Sequence, residues 1–421
     1  MKLNQAALLP LIGSVAAIPG SSFPGHDSHR SLDISSSNAV VARDVPDDPW
    51  DLPKLQEPAC EIAPLDKSVD VTPKIHEAIE KCGDGGSILM KHHEWSFHSV
   101  LDLSGCKNCQ IYMLNTTVKA TVDMEYWGGK RAMIQMYNTS GAVIEGFFGT
   151  FDGNGEAVWT GDDPNYQSPV LFEIDSSENI TISTGINFEY PQKVGYAINN
   201  SNNIASGGFC YGDPFSGGTK PDTTCLSVSD STNLNLTGGG AGLHGPCIEL
   251  KGGVDNVLIQ NPNCYGTYIE TLGHGIVFGT LDGDREEGSR DIKNVVVNGI
   301  QSSTNIAPIT FRHCSSSSGA PPAQISNITI DRIQVATGNE YGLLVEQCDE
   351  GSDAELSDIL FKRYYARISN DEIAGIVDCP DAGICDFQFN HFNVTAYPWH
   401  NPLPLQCTNF DDPVGVTCVE P

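Results

Sequence analysis

The sequence predicts an all-β solenoid, a parallel β-helix closed at one end by a helix. Short runs of β-branched and aliphatic residues recur along the chain, and many of them open with Asn or Asp. Units of this kind cannot bury their own apolar side chains, so they are expected to stack as coils. Few segments after residue 110 have a helical period, which argues against alternating βα units. The runs begin, at separations of 54, 23, 38, 33 and 31 residues, at Asn179, Asn233, Asn256, Asn294, Asn327 and Asp358.

Glycine and asparagine occupy the places where such coils must turn. The 43 glycines cluster between the runs, where tight corners demand positive φ. Asn at the strand entrances is expected to form side-chain ladders or Asx-turns at these corners. A β-sandwich is the structural alternative, but it would show tighter hairpin signals and a more regular spacing of 8 to 12 residues.

The N-terminus is typical of an export signal. Lys2 is followed by an apolar stretch at residues 6–17 that is too short to span a bilayer and ends in small residues. A buried helix is the alternative, but no amphipathic period is present. We therefore predict a signal peptide at 1–17, a Ser/Pro/Asp/Gly-rich linker or pro-segment at 18–55, and the β-helix domain at 56–421. No later apolar run is long enough to anchor the chain in a membrane.

Cysteines and glycosylation sequons agree with secretion. The chain has 14 cysteines, an even number that would pair in an oxidising compartment. A zinc site is not expected, because Cys106 and Cys109 form the only CxxC pair. No other metal and no organic cofactor is indicated. Asn-x-Ser/Thr acceptors, which predict surface glycans, stand at Asn115, Asn138, Asn179, Asn199, Asn235, Asn327 and Asn393.

The capping helix is predicted between residues 69 and 82. Thr72 would cap it and Pro73 suits its first turn. Ile75 and Ile79 recur on one face, and Gly83 ends it. A helix ahead of a long β region would cover the open end of the stacked coils.

The formal net charge of −30 restricts the partners. No basic stripe is available to neutralise phosphates, so nucleic acid is not expected as a partner. The charge also opposes long-range attraction of an anionic polysaccharide, although a local basic pocket would still bind one. Solubility in an acidic medium is the plain explanation of the high negative charge.

Four segments, in order, resemble the polygalacturonases, the glycoside hydrolases of pectin. Residues 69–82 with the following Gly85-Gly86 are similar to their capping helix. Residues 149–159 resemble their Asp-Gly-x-Gly turn, and 273–281 their active-site His segment. Residues 379–418 are similar to their disulfide-tied last coils. The resemblance covers nearly all of the chain after the linker.

This resemblance implies a right-handed parallel β-helix with a cleft along one face and inverting hydrolysis of a glycosidic bond. Inversion needs a protonated carboxyl for the leaving oxygen and a carboxylate that activates water. The resemblance also implies a basic pair that binds the uronate groups of the substrate. A polysaccharide or oligosaccharide is therefore the expected partner, and a monomer is the expected state.

The family's carboxylates are only partly present. Its Asn-Thr-Asp motif matches residues 220–224, where Asp222 is retained as a catalytic candidate or as a turn-forming residue. Its adjacent pair of Asp residues falls on Gly245 and Pro246. Neither of these side chains transfers a proton, and each such group typically contributes about 10²- to 10⁴-fold in rate.

The binding residues implied by the resemblance are also altered. His274, between two glycines, is expected to orient a carboxylate or to contact sugar. The basic pair falls on Thr310 and Arg312, so Arg312 is the predicted substrate ligand, with His313 and His244 as assistants. A surface ion pair of small energy is the alternative for Arg312.

Replacement carboxylates are predicted nearby. Glu249 lies four residues after Gly245, which strand alternation would place on the same face. Glu270 lies in a segment longer than the family's connection, with Tyr265 and Tyr268 as platforms for sugar rings. Solvated surface positions are the alternative for both Glu residues. Weaker candidates are Asp282 and Asp284.

The resemblance also suggests disulfides, although sequence alone does not fix connectivity. Cys247 with Cys264 matches a family bridge beside the cleft. The remaining pairs suggested by position are Cys60 with Cys82, Cys379 with Cys385, and Cys407 with Cys418.

Three functions remain open at this stage. The first is a secreted glycosidase of pectic or related cell-wall polysaccharide with an altered catalytic set. The second is a β-helix protein that binds carbohydrate without hydrolysing it. The third is a β-helix enzyme adapted to another small substrate through His244, His274 and the nearby Glu residues. Fold alone does not decide among them.

Overall fold

The computed structural model describes residues 55–159, 166–212, 223–241, 244–266, 273–279, 290–303, 305–314, 321–348, 352–398, 401–410 and 413–421. The predicted signal peptide and almost all of the linker lie outside these ranges. Three predicted site residues, Asp222, Tyr268 and Glu270, also lie outside them, as do Asp282 and Asp284. In the part of the chain that the structure describes, no helix is long and apolar enough to cross a lipid bilayer.

The predicted helix forms as α1 (Thr72–Cys82) and buries Ile75 and Ile79. It ends where the Gly83 N–H donates to the Ile79 carbonyl. The expected cap at Thr72 was wrong, because Thr72 is the first helical residue and the carboxylate of Asp70 accepts its N–H at 3.0 Å. Two further helices of four residues each are α2 (Met124–Trp127) and α3 (Glu156–Trp159).

One parallel sheet of twelve strands runs the length of the domain. Each strand pairs with the equivalent strand of the neighbouring coil, as expected when coils stack. Its strands are β4 (Leu101–Asp102), β6 (Ala132–Tyr137), β8 (Val170–Asp175), β11 (Val194–Asn199), β14 (Thr224–Ser229), β17 (Ile248–Leu250), β20 (His274–Phe278), β23 (Ala307–His313), β25 (Leu343–Gln347), β27 (Gly375–Asp378), β29 (Leu405–Thr408) and β30 (Cys418–Val419).

A second parallel sheet of eighteen strands bends into two faces, which we call the second and the third face. The second face contains β1 (Ala59–Glu61), β2 (Ser87–Lys91), β9 (Glu178–Ile182), β12 (Asn202–Ser206), β15 (Thr232–Leu236), β18 (Val254–Gln260) and β21 (Ile292–Asn298). The third face contains β3 (Glu94–Phe97), β10 (Ile186–Glu189), β13 (Phe209–Tyr211), β16 (Gly239–Ala241), β19 (Asn263–Tyr265) and β22 (Gln301–Ser303). Long strands that pass through both faces are β5 (Gln110–Ala120), β7 (Val143–Asp152), β24 (Gln324–Asn339), β26 (Glu355–Ile368) and β28 (Ile384–Ala396).

The three faces enclose one hydrophobic core. Residues in register stack on one another within it, so that the rings of Phe278 and Phe311 lie parallel with centroids 4.6 Å apart. Side chains alternate between core and surface along each strand. Every residue between two core residues of a strand is therefore presented on the outer side of its face.

The predicted asparagine corners are confirmed. The six Asn or Asp residues that open the sequence runs have φ between 54° and 57°, the left-handed region in which Asn is enriched among non-glycine residues. Their side chains bond from coil to coil, for example from the Asn327 amide to the Asn294 carbonyl oxygen at 2.6 Å. Asn294 donates in turn to Asp255 at 2.6 Å. The amides that stabilise these corners are the amides that recur in the sequence.

All 14 cysteines are paired in seven disulfides. The four pairs suggested by the sequence are among them. Cys106–Cys109, Cys210–Cys225 and Cys314–Cys348 are the additional ones. Cys210 of β13 is bonded to Cys225 of β14, and Cys264 of β19 is bonded to Cys247, which directly precedes β17. Both bridges therefore connect the third face to the twelve-stranded sheet.

Candidate active site

The outer side of the twelve-stranded sheet carries most of the described candidate residues. Glu249 is in register with Val277 on the next coil, and Val277 is in register with Thr310. Glu249 lies between the core residues Ile248 and Leu250, so its side chain faces outward. The coil stacking therefore brings together positions that are 61 residues apart in the sequence.

His274 opens strand β20 and is held against this row. Its Nδ1 lies 2.9 Å from the hydroxyl oxygen of Thr310, and only 9% of the residue is exposed. Burial, followed by the positive charge of Arg312, lowers the pKa of His274 to about 4. The imidazole is thus neutral around pH 6, and its role is to exchange neutral hydrogen bonds rather than to supply charge.

Arg312 lies two residues beyond Thr310 and faces the same side. It is in register with Glu346, whose carboxylate oxygen lies 3.8 Å from Arg312 Nη1. Burial raises the pKa of Glu346, and Arg312 opposes the shift. The buried Nε of Arg312 has no hydrogen-bond partner within the described part of the chain. A buried donor without a partner is rare, and this one is an unusual feature of the site.

Glu249 is nearly buried and paired with a cation. Its carboxylate lies 3.3 Å from Lys251 Nζ, and 5% of its side chain is exposed. Strand β17 begins only at Ile248. The alternation from Gly245 that suggested Glu249 therefore does not run through a continuous strand, although the predicted outward direction is correct.

The segment that contains Gly245 is tightly held against the previous coil. The Gly245 N–H donates to the Thr223 carbonyl at 3.1 Å, and the His244 N–H donates to the Thr223 hydroxyl at 3.3 Å. A Cβ atom added at Gly245 would lie 3.0 Å from the Thr223 carbonyl carbon and oxygen. A side chain at this position therefore requires the backbone of Thr223 to move. His244 itself is 5% exposed.

His313 does not share the outer side with Arg312. Alternation places it on the same side of β23 as the core residue Phe311, and it is 2% exposed. Its Nδ1 lies 2.8 Å from the Ser352 hydroxyl and its Nε2 lies 2.9 Å from the Asp378 carbonyl. Because both ring nitrogens are occupied, His313 joins coils together, and the predicted role in substrate binding has no geometric support.

A charged cluster that the sequence did not suggest lies on the same outer side, nearer the N-terminus. We call it the Arg131 cluster. Arg131 pairs with Glu173 at 2.8 Å and with Asp175, which follow one another at alternate positions of β8. Tyr137 donates to Glu173 at 2.5 Å and the amide of Asn199 donates to it at 2.7 Å. Two acidic residues at alternate positions of an apolar strand were the signal in the sequence.

These contacts shift the ionisation of the cluster. Burial disfavours the charged form of Asp175, but hydrogen bonds from Asn200, Arg131 and Ser176 outweigh it and lower its pKa. Burial and the adjacent Glu173 carboxylate raise the pKa of Tyr137. A single guanidinium thus pairs with both carboxylates of the cluster.

The predicted glycosylation sites differ in accessibility. Asn199 and Asn235 are half-buried. The Asn199 amide also donates to Glu173 and accepts from Ser229, so a glycan there would disturb the Arg131 cluster. Glycosylation itself stays a prediction. Asn327 is half-buried as well, and the exposed acceptors are Asn115, Asn138, Asn179 and Asn393.

No group of three or more His, Cys, Asp or Glu side chains among the described residues is arranged to hold a metal ion. The described residues of this surface offer carboxylates, a neutral imidazole and a guanidinium. Residues 96–418 match the family Glycosyl hydrolases family 28. The chain belongs to this family of glycoside hydrolases. Both the predicted family and the predicted parallel β-helix are confirmed.

The similar proteins include pectin-related hydrolases. A probable endo-xylogalacturonan hydrolase A from Aspergillus niger is 26% identical over 371 residues, which cover 84% of this chain and 88% of that protein. The crystal structure of the endo-xylogalacturonan hydrolase from Aspergillus tubingensis is 25% identical with a TM-score of 0.77, covering 86% and 99% of the two chains. Endopolygalacturonase I from Stereum purpureum, at 17% identity and a TM-score of 0.57 over 84% and 99%, shares the fold.

Proposed function

We propose that this family 28 protein is a secreted hydrolase of a pectic polysaccharide of the xylogalacturonan type, with Glu249 as one of its catalytic carboxylates. The observation that carries the proposal is the placement of Glu249, the His274–Thr310 pair and Arg312 on the outer side of one sheet. Similarity to endo-xylogalacturonan hydrolases supports the substrate class. The paired cysteines and the export-type N-terminus support secretion.

The roles follow from the environment of each group. Lys251 stabilises the carboxylate form of Glu249, and a carboxylate is what a water-activating base requires. His274, being neutral, donates or accepts a hydrogen bond to a sugar hydroxyl or to the reacting water. The guanidinium of Arg312 donates hydrogen bonds to the carboxylate of a uronate or to a sugar hydroxyl.

Inversion also requires an acid about 6.5–9.5 Å from the base, so that a water molecule fits between the two carboxyl groups. Adjacent strands lie about 4.8 Å apart, and Glu173 is three coils from Glu249 along its row. That separation is too long. We therefore assign the acid to Asp222 or Glu270, which the sequence places on neighbouring coils.

Carbohydrate binding without hydrolysis is the second candidate, and one observation favours it. Gly245 and Pro246 offer no carboxyl group, and the contact of Gly245 with Thr223 leaves no room to restore one without a backbone shift. If this candidate is right, the surface retains Arg312 and His274 for binding while no bond is cleaved.

Release of reducing ends from xylogalacturonan, polygalacturonate and rhamnogalacturonan by the full secreted chain distinguishes the two. We expect activity on at least one of them, and a loss of about 10²- to 10⁴-fold in turnover for Glu249→Gln. The matched control is Glu80→Gln, which changes an exposed glutamate on α1 and should leave turnover unchanged. Binding of these polymers with no released ends would refute hydrolysis, and full activity of Glu249→Gln would refute its assignment.

A further inference from the structure

From β13 onward, the third face has an outer surface unlike the rest of the molecule, whereas its earlier strands β7 and β10 carry Asp152 and Glu189 there. Each short strand there presents two residues outward, on either side of a buried middle residue such as Cys210 or Cys264. From β13 to β28 the described outward positions hold aromatic, amide, hydroxyl and small side chains, together with Arg367. None of them holds Asp or Glu, although the chain has 53 acidic residues against 23 basic ones.

The outward residues form two rows along the axis of the solenoid. One row runs from Gln301 through Gln334 and Tyr365 to Asn393, each in register with the next. The other row contains Tyr211 and Tyr265, two coils apart through Ala241. We call the surface formed by Tyr211, Tyr265, Gln301, Gln334, Tyr365 and Asn393 the tyrosine–amide strip.

The strip is open to solvent and concave. Tyr211, Tyr265 and Tyr365 are 42%, 38% and 48% exposed. A groove of about 890 Å³ runs along the strip from Tyr265 to Asn393. Exposed aromatic side chains in a concave polar surface are a feature of ligand sites rather than of a solvated edge.

The chemistry of the strip fits a neutral polysaccharide chain. Tyrosine rings offer flat apolar faces to the C–H faces of pyranoses, and amides both donate and accept hydrogen bonds with hydroxyls. Coils repeat about every 4.8 Å, close to the length of one sugar unit, so a chain lying along the axis meets an amide or a tyrosine on each coil from β19 to β28. With Arg367 as its only outward cation among the described residues, the strip offers little to a polyanion.

The strip is also held in place. The disulfides Cys210–Cys225 and Cys247–Cys264 fix β13 and β19 to the segments that enter the twelve-stranded sheet. Tyr265 Oη lies 3.3 Å from the Gln301 side-chain oxygen, which restrains one ring. Preorganised side chains lose less entropy when a ligand binds.

We infer that the tyrosine–amide strip is an accessory binding site for an uncharged cell-wall polysaccharide, separate from the surface that carries His274 and Arg312. Such a site would hold the enzyme on the wall matrix while the pectic substrate is processed on the neighbouring face. It depends only on residues of the third face, so it stands or falls independently of the proposed hydrolysis.

Affinity electrophoresis of the full chain through gels containing xyloglucan, xylan or polygalacturonate tests this. We expect retardation by at least one neutral polymer. Each lost ring contact is worth about 0.5–1.5 kcal/mol, so the Tyr265→Ala/Tyr365→Ala variant should bind about tenfold or more weakly. Phe148→Ala removes an aromatic residue elsewhere that is 64% exposed, and this variant should bind as the unmodified chain does.

Three results would overturn the inference: no retardation by either neutral polymer, retardation by polygalacturonate alone, or unchanged binding of the double tyrosine variant. Asn393→Gln tests whether a glycan on Asn393 fills the groove instead, and binding that appears only in this variant would also overturn it. His274→Ala should retain the neutral-polymer binding whether or not the chain hydrolyses pectin.

Discussion

The outer side of the twelve-stranded sheet and the third face are built from the same coils, but they differ in which side chains they bury and which they expose. On the sheet, ionisable side chains are taken out of water: Glu173, Glu249 and His274 are 2%, 4% and 9% exposed. On the third face, uncharged side chains are left in water. Buried charges are costly and must be matched by fixed partners, so the sheet is rigid and specific. Exposed rings and amides cost little and suit weak, repeated contacts.

Removing the partner of the buried carboxylates should give the largest effect on stability. Arg131→Met leaves Glu173 and Asp175 without their cation, and we expect the free energy of unfolding to fall by about 3–5 kcal/mol. Urea denaturation measures it. Arg363→Met, which breaks the more exposed pair with Asp331, is the control and should cost less than about 1 kcal/mol. Equal losses for the two variants would show that the burial of the carboxylates does not set the size of the effect.

The neutral state of His274 should make stability depend on pH. Its pKa is about 4 in the folded chain against an ordinary value of 6.5, so below pH 6.5 the unfolded chain binds a proton that the folded chain does not. Stability should therefore fall as pH drops from about 6.5 to about 4, by up to about 3 kcal/mol from this group.

The measurement is the difference in unfolding free energy between the unmodified chain and His274→Asn at several pH values. The difference should shrink as the pH is lowered, because the variant lacks this proton-linked loss. Burial also lowers the pKa of His313, but that contribution is common to both proteins and cancels. A difference that stays constant from pH 7 to pH 4 would contradict the neutral, buried state of His274.

The smallest effect is expected on the third face. Tyr265→Ala and Tyr365→Ala remove rings that are largely in water, so each should change the unfolding free energy by less than about 0.5 kcal/mol. Thermal or urea unfolding checks this. Losses above about 2 kcal/mol would show that the rings pack as a structural surface and would weaken their assignment as binding groups.

The sequence predicted the coil architecture well because its determinants are local. Asn294 occupies a corner because its own backbone adopts a positive φ there. The helix α1 forms because Ile75 and Ile79, four residues apart, lie on one face and are buried together. Alternation placed Glu249 outward, as it is in the structure, and resemblance drew Arg312 into the site. Alternation along β23 puts His313 on the same side as the core residue Phe311. The prediction that His313 binds substrate came from its place beside the matched basic motif, which does not take alternation into account.

The contacts that define the site were not predictable, since they depend on register between coils. The His274–Thr310 pair spans 36 residues and the contact between Arg131 and Glu173 spans 42. Register is set by the length of every intervening corner, and these lengths vary from coil to coil. Pattern reasoning could therefore identify outward side chains, but it could not identify which of them meet.

The corner asparagines have a consequence for how this chain tolerates insertion. The amides of Asn203, Asn233, Asn256, Asn294 and Asn327 donate toward the preceding coil, and the oxygens of Asn179, Asn233 and Asn294 receive an amide from the following one. Whole coils can therefore be duplicated or lost at this corner without orphaning an amide in the middle of the stack, whereas a single extra residue breaks the relay. Changes of length are better absorbed between the third face and the twelve-stranded sheet, which is the border shared by the two carbohydrate surfaces proposed for this protein.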